Sequence, residues 1–287
     1  MTDDGQHGLS VTTKVFRILG AFSADCPRLR ASDVCRRSGL PFSTVHRLLT
    51  ELVTQGVLEH GADGAYTVGI KLWEVAALNP HLASLRGVAT PWMHELRSML
   101  RGNVHLDVRV GADGLCVEGL NGVHVDTAHH RLGARFPLRS AAGGFVLMAY
   151  AGSQTLEAVL SAPTTRDVRE TVDCPHGLRQ ALAGIRRSGV AVSEGRNHLS
   201  VASPVFGPDG DIVAALELDV PAPGSPLRIA AAVRHAGSEI SGTLRRDHWS
   251  LGTGPLPARA ERHQLTSRLL PIQWVPTGQR QESTQDS

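Results

Sequence analysis

Apolar residues in the first quarter of the chain recur every three to four positions. Val15, Ile18, Leu19 and Phe22 form one stripe behind Ser10, whose side chain suits an N-cap, and predict a helix over 10–22. Asp25-Cys-Pro-Arg breaks the pattern. A short second helix over 31–38 turns Val34 and Cys35 inward and places Asp33 near its positive end. Gly39 stops it, and Pro41 opens a third helix over 41–55, where a missing N–H costs nothing. That helix buries Val45, Leu48, Leu49, Leu52 and Val53 and leaves Ser43, Thr44, His46, Arg47 and Thr50 on its other side. After Gly56, residues 57–60 and 65–69 read as two short strands around Gly61-Ala-Asp-Gly64. Three helices and a small hairpin make a winged helix-turn-helix, in which the third helix enters the major groove of DNA.

Another helix is expected over 70–78. The period stays helical from Leu82 to Leu100, with Pro91 expected to kink or divide it. Trp92 either packs the two halves together or meets a second subunit. From Asn103 the period falls to two: Val104, Leu106, Val108 and Val110 alternate with His105, Asp107 and Arg109, a half-buried strand. Further strands are expected at 115–118, 135–138, 190–192, 200–205 and 212–220, and helices at 141–151, 153–160, 176–188 and 227–246. Such mixing, with hairpins, predicts an antiparallel-rich α+β domain. The proline-containing stretch 249–287 has no sustained period, so disorder is expected there, with docking of Leu269, Leu270, Ile272 and Trp274 as the exception.

The 287 residues suffice for two domains, and the formal charge of +2 looks uninformative. Its distribution changes the picture. Between Lys14 and Arg47, seven cations (Lys14, Arg17, Arg28, Arg30, Arg36, Arg37 and Arg47) oppose only Asp25 and Asp33, a net five positive charges within 34 residues. Local positive charge on a small helical domain is the footprint of a phosphate-binding surface. The expected DNA-contacting residues are Arg30, Phe42, Ser43, Thr44, His46, Arg47 and Thr50. No apolar run is long enough to span a bilayer and the first residues are polar and acidic, so a soluble cytoplasmic protein is expected. The four cysteines, Cys26, Cys35, Cys116 and Cys174, form no C-x-x-C pair. Neither a disulfide framework nor a zinc ribbon follows. His124, Asp126, His129 and His130 cluster in a polar stretch without regular ligand spacing, which favours a solvated loop over a metal site. No nucleophile elbow, zinc-protease motif, P-loop or dinucleotide fingerprint occurs in a credible context, so no enzyme, no catalytic residue, no metal and no cofactor is expected.

The segments Ser38-Gly-Leu-Pro-Phe-Ser-Thr-Val-His-Arg-Leu-Leu49, Leu52-Val-Thr-Gln-Gly-Val-Leu-Glu59 and Tyr66-Thr-Val-Gly69 resemble the IclR family of transcriptional regulators. Collinear pieces continue the likeness: Val104-His-Leu106, Arg131-Leu-Gly-Ala-Arg-Phe-Pro-Leu138, Gly189-Val-Ala-Val192, Ala202-Ser-Pro-Val205 and Ala214-Ala-Leu216. Together they cover roughly 10–244. The resemblance implies a winged helix-turn-helix, expected over 10–78, joined by a linker helix over 79–91 to a GAF-like effector-binding domain over 92–248, between a stretch 1–9 and a tail 249–287 that are expected to be disordered. It also implies a homodimer or dimer of dimers that binds an operator in double-stranded DNA under control of a small-molecule effector, with repression favoured over activation.

The family's recognition helix maps onto 41–55, where Phe42 replaces the usual Lys or Asn and either touches a thymine methyl or packs. Its effector-contacting backbone amides map onto Gly133 and Ala134. The following helix, usually His-Ala-Thr-Ala-x-Gly-Lys, reads Arg139-Ser-Ala-Ala-Gly-Gly-Phe145 and keeps the glycine. Hydroxylated residues that line the family's site are replaced by Glu217 and Asp219, and Glu194 is a candidate for an acidic residue of a nearby loop. The expected effector-binding residues are Gly133, Ala134, Phe145, Ser200, Glu217 and Asp219. If the two acids face the site, the effector is neutral, cationic or hydroxyl-rich; otherwise both are solvated. An effector-free regulator whose site Phe136 and Phe145 pack shut is the alternative reading, and a metal-dependent enzyme is a weaker one.

Overall fold

The structure, a computed structural model, describes residues 9–121, 131–161, 175–195, 197–222, 225–246 and 274–275. The 124–130 histidine cluster, Cys174, most of the tail and the first eight residues lie outside that set. Contacts divide the chain into two units, one ending at Asn79 and the other beginning at Pro80.

The first unit contains α1 (Val11–Leu19), β1 (Arg28–Arg30), α2 (Ala31–Ser38), α3 (Phe42–Thr54), β2 (Leu58–His60), β3 (Ala65–Val68) and α4 (Ile70–Ala76). Ser10 caps α1 by accepting from the Thr13 N–H at 3.1 Å. Gly39 turns the chain between α2 and α3 with φ of 67°, a left-handed conformation that a Cβ would strain. Ile18, Leu29, Val34, Val45, Leu48 and Leu49 meet in one core. The sheet is three-stranded in the order β1-β3-β2, so the wing carries one strand more than the sequence pattern predicts. Its three-residue β1 pairs Leu29 with Tyr66 and is too short to show a period.

The second unit runs from α5 (Pro80–Leu100) through β4 (Asn103–Val110), β5 (Asp113–Leu120), β6 (Arg135–Pro137), α6 (Ala142–Ala149), α7 (Ser153–Ser161), α8 (Pro175–Ser188), β7 (Ala191–Glu194), β8 (His198–Phe206) and β9 (Ile212–Pro221) to α9 (Pro226–Arg246), with β10 (Trp274–Val275) last. The sheet order is β10-β7-β8-β9-β4-β5-β6. All its pairs are antiparallel except β10 with β7. One sheet face packs Val104, Leu106, Leu216, Leu218 and Val201 against α5 and α9. The opposite face packs Ala191, Ala202 and Ala215 against α6 and α8.

Two expectations change. Pro91 does not divide α5, because it sits on the exposed side while Leu85, Val88, Ala89, Met93 and Leu96 bury the other side both before and after it. That continuous burial offsets the one hydrogen bond that proline removes. Trp92 packs within its own unit, edge-on to His235 of α9 at 5.7 Å. Arg86 of α5 also reaches Glu118 of β5 through Nε at 2.9 Å and Nη2 at 2.6 Å, tying the helix to the sheet edge.

Candidate functional site

Alternating burial along α3 sorts its side chains into two faces. Val45, Leu48, Leu49 and Leu52 enter the core, while Phe42, Ser43, His46, Arg47 and Thr50 are exposed and Thr44 is half-buried. Most of the residues expected to contact DNA therefore share one outward surface. Thr50 donates its hydroxyl to the His46 carbonyl at 3.0 Å and keeps its oxygen lone pairs facing out. Arg47 lies 3.7 Å from Glu51 one turn on, with both side chains more than half exposed. So exposed a pair costs little to open and leaves Arg47 available to another anion.

The positive charge is more committed than its total suggests. Arg28 binds Asp63 of the wing turn at 2.6 Å, and Arg36 binds Asp33 at 2.7 Å. The Arg30 N–H and the Arg36 guanidinium hold the Asp33 carboxyl below its ordinary 3.8. Arg37 donates to the Ala21 carbonyl at 2.8 Å and to Cys26 Sγ at 3.0 Å, so it fixes the loop after α1. Arg30 is exposed where β1 passes into α2.

A second polar group lies in the other unit, buried under α6. Register places His105 opposite Glu217, Asn103 opposite Asp219, Asp107 opposite both Ala215 and Cys116, and Ser200 opposite Asp219. These side chains share the face that α6 covers. Asp107, His105, Glu217 and Asp219 are all 0% exposed, which removes the alternative of solvated acids. Ser200 donates its hydroxyl to Asp219 Oδ1, and His105 Nε2 lies 3.6 Å from Asp219 Oδ2. The Gly143 N–H, in the first turn of α6, donates to Glu217 Oε2 at 2.7 Å. Asp107 Oδ2 lies 2.9 Å from the place a Gly143 Cβ would occupy, so that glycine lets two carboxylates approach the helix end together.

His105 and Asp107 were not legible as site residues. A strand alternating Val-His-Leu-Asp-Val reads as half-exposed, whereas β4 is central and covered on both faces. The missing signal is long-range: only pairing with a strand more than 100 residues later aligns His105 with Glu217.

Two expected effector contacts also move. Gly133 donates its N–H to the Cys116 carbonyl and Ala134 donates to the Arg131 carbonyl, each at 2.8 Å. The Gly133 amide thus holds the loop onto β5, and the Ala134 amide closes a turn within the loop while its carbonyl accepts from the Cys116 N–H at 3.0 Å, so both amides are engaged within the protein. Phe145 is buried in the apolar cluster with Leu138, Leu147 and Leu182, and the end of the buried Phe136 ring fills the space a Cβ on Gly114 would take. Burial, then the nearby Asp107 charge, pushes the Cys116 thiol well above its ordinary value, which disfavours the thiolate. Among the described residues, no group of three His, Cys, Asp or Glu is disposed to hold a metal ion, and no helix is long and apolar enough to cross a membrane.

Known proteins share both units. A family profile described as the bacterial transcriptional regulator IclR C-terminal region matches residues 80–241, and the IclR helix-turn-helix domain profile matches residues 11–61. The transcriptional regulator XynR of Escherichia coli K12 is 30% identical over 210 residues, 71% of this chain and 83% of the relative. The transcriptional repressor AllR of the same organism is 25% identical over 196 residues, 66% of this chain and 72% of the relative. Among solved structures, an IclR homologue of Microbacterium hydrocarbonoxydans complexed with 4-hydroxybenzoate superposes with a TM-score of 0.77 at 32% identity. It covers 83% of this chain and 100% of that one. With both regions matched in order, and with the winged and sheet units each built as described, the chain belongs to the IclR family of bacterial DNA-binding transcriptional regulators.

Proposed function

We propose that this regulator is a repressor that reads its operator with the outward face of α3 and is controlled by a small molecule at the polar face beneath α6. The observation that carries the DNA half is the shared exposure of Ser43, His46, Arg47 and Thr50 on one helix. In this reading residues 10–78 bind DNA and the unit that begins at Pro80, with Leu85 and Val88 of α5 in its core, responds. The chain acts in the cytoplasm without catalysing a reaction, and it works as a homodimer because one winged unit buries little DNA surface. Exposed Ile70, Trp73 and Val75 on α4 support self-association. Arg47→Ala is expected to weaken operator binding by roughly 5- to 100-fold. Fluorescence anisotropy across a salt series separates a phosphate contact, which lowers the salt slope by about one, from a guanine contact, which relaxes specificity at one base pair. Unchanged affinity and specificity would remove Arg47 from the interface.

For the effector, the Microbacterium relative's 4-hydroxybenzoate supports a small-molecule site but not the same ligand. Asp107, Glu217 and Asp219 are three buried carboxylates facing one imidazole, an environment that opposes an incoming carboxylate and suits a neutral, hydroxyl-rich or cationic molecule. Calorimetry with 4-hydroxybenzoate, sorbitol and butylamine tests this: the carboxylate is expected to bind weakest, and Glu217→Gln with Asp219→Asn is expected to improve it. Tight 4-hydroxybenzoate binding unaffected by those changes overturns the ligand class. Burial of Phe136 and Phe145 favours the second reading, a site packed shut, and a melting temperature that no ligand raises decides for it.

A further inference from the structure

A large apolar side chain stands at the leading end of the DNA-reading face with no part in the core. Phe42 is the first residue of α3 and is 61% exposed. It does not join the apolar cluster formed by Leu40, Val45 and Leu48, so packing into the unit does not account for it. Its ring instead lies against the outward His46 imidazole, with centroids 6.0 Å apart and planes tilted by 35°. Residues one turn apart on a helix face the same way, and here the pair is flanked by exposed Ser43 and Arg47. The surface presented to DNA at the start of α3 is therefore an aromatic plate bordered by donors.

We infer that Phe42, held by His46, is a specificity-determining residue that reads the C5-methyl group of a thymine. Residues near the start of a recognition helix are the ones that meet base edges. Among the base edges of the major groove only thymine offers an apolar group, and a phenyl ring gains nothing from phosphate oxygens. Beside it, the Arg47 cation and the Ser43 hydroxyl are suited to phosphate or polar base-edge contacts and leave the apolar methyl to the ring. The inference rests on α3 being the DNA-reading helix.

The test uses the full-length chain and a duplex it selects from a random pool. Each thymine is replaced in turn by deoxyuridine, which removes the methyl and leaves the hydrogen-bonding pattern intact. At one position per half-site, wild-type affinity is expected to fall about fourfold, the worth of one methyl group taken out of water. In Phe42→Ala the same replacement is expected to have no effect, while the salt slope stays at the wild-type value because no phosphate contact is lost. Selected DNA that tolerates deoxyuridine everywhere, or that responds equally in wild type and Phe42→Ala, overturns the methyl contact and leaves the DNA-reading helix standing. A chain that selects no DNA at all overturns both.

Discussion

Gly144→Ala is expected to destabilise the second unit by about 3 kcal/mol, at the upper end of what overpacking a filled core costs. Gly144 is the glycine retained from the family's His-Ala-Thr-Ala-x-Gly-Lys pattern, and the fold supplies the reason. A Cβ there would lie 2.0 Å from the Leu138 carbonyl oxygen, 2.6 Å from its carbon and 2.8 Å from its Cα. All three are backbone atoms, so no side chain can swing aside. All eight residues of α6 are buried, so the helix must lift from the turn at Leu138–Ser140 and draw the Gly143 amide away from Glu217. Urea unfolding measures the loss. Gly152→Ala is the control, since nothing lies within 4 Å of its added Cβ. Its effect is expected to stay within about 1 kcal/mol, the cost of Ala at the N-cap of α7. Equal stability of Gly144→Ala and wild type would show that α6 does not press on Leu138 as described.

His105→Leu is expected to cost about 1–3 kcal/mol, the range for depriving a buried polar group of its polar neighbour. His105 and Asp219 have side-chain exposures of 1% and 0%. Without the imidazole, Asp219 retains the Ser200 hydroxyl, and Glu217 faces an apolar side chain across the strand pair. The loss reflects a buried carboxyl deprived of one polar neighbour in low dielectric rather than the attraction of the pair itself. The double variant His105→Leu/Asp219→Leu is therefore expected to recover much of the stability, since it removes the buried carboxyl together with its neighbour. A double-mutant cycle read by urea unfolding gives the coupling. A single-variant loss below about 1 kcal/mol, with no recovery in the double variant, would contradict a coupled buried network.

The winged unit was almost entirely legible because its signals are local. Helical stripes, Gly39, Pro41 and Gly56 each act within a few residues, and the faces of α3 follow directly from Val45, Leu48 and Leu49. Only β1 escaped, since Arg28-Leu-Arg30 becomes a strand by pairing with β3, far along the chain. In the second unit β4 was also visible in its period of two, but the period cannot say what covers each face. The stripe His105, Asp107 resembles a solvent face and lies instead under α6, next to Glu217 and Asp219. Likewise, the positions of Gly133 and Ala134 were legible, whereas the engagement of the Gly133 amide required the path of the loop against Cys116. Charge behaved in the same way: Arg28, Arg36 and Arg37 count toward a basic segment in sequence, yet in the fold they serve Asp63, Asp33 and the loop after α1.

Selection of double-stranded DNA from a random pool by the purified full-length chain, followed by affinity measurement over a range of salt concentrations, tests the central claim most directly. The account predicts enrichment of a two-fold symmetric sequence, with the logarithm of affinity falling linearly as the logarithm of salt rises. Failure to enrich any sequence, with binding that is absent or insensitive to salt, would contradict it.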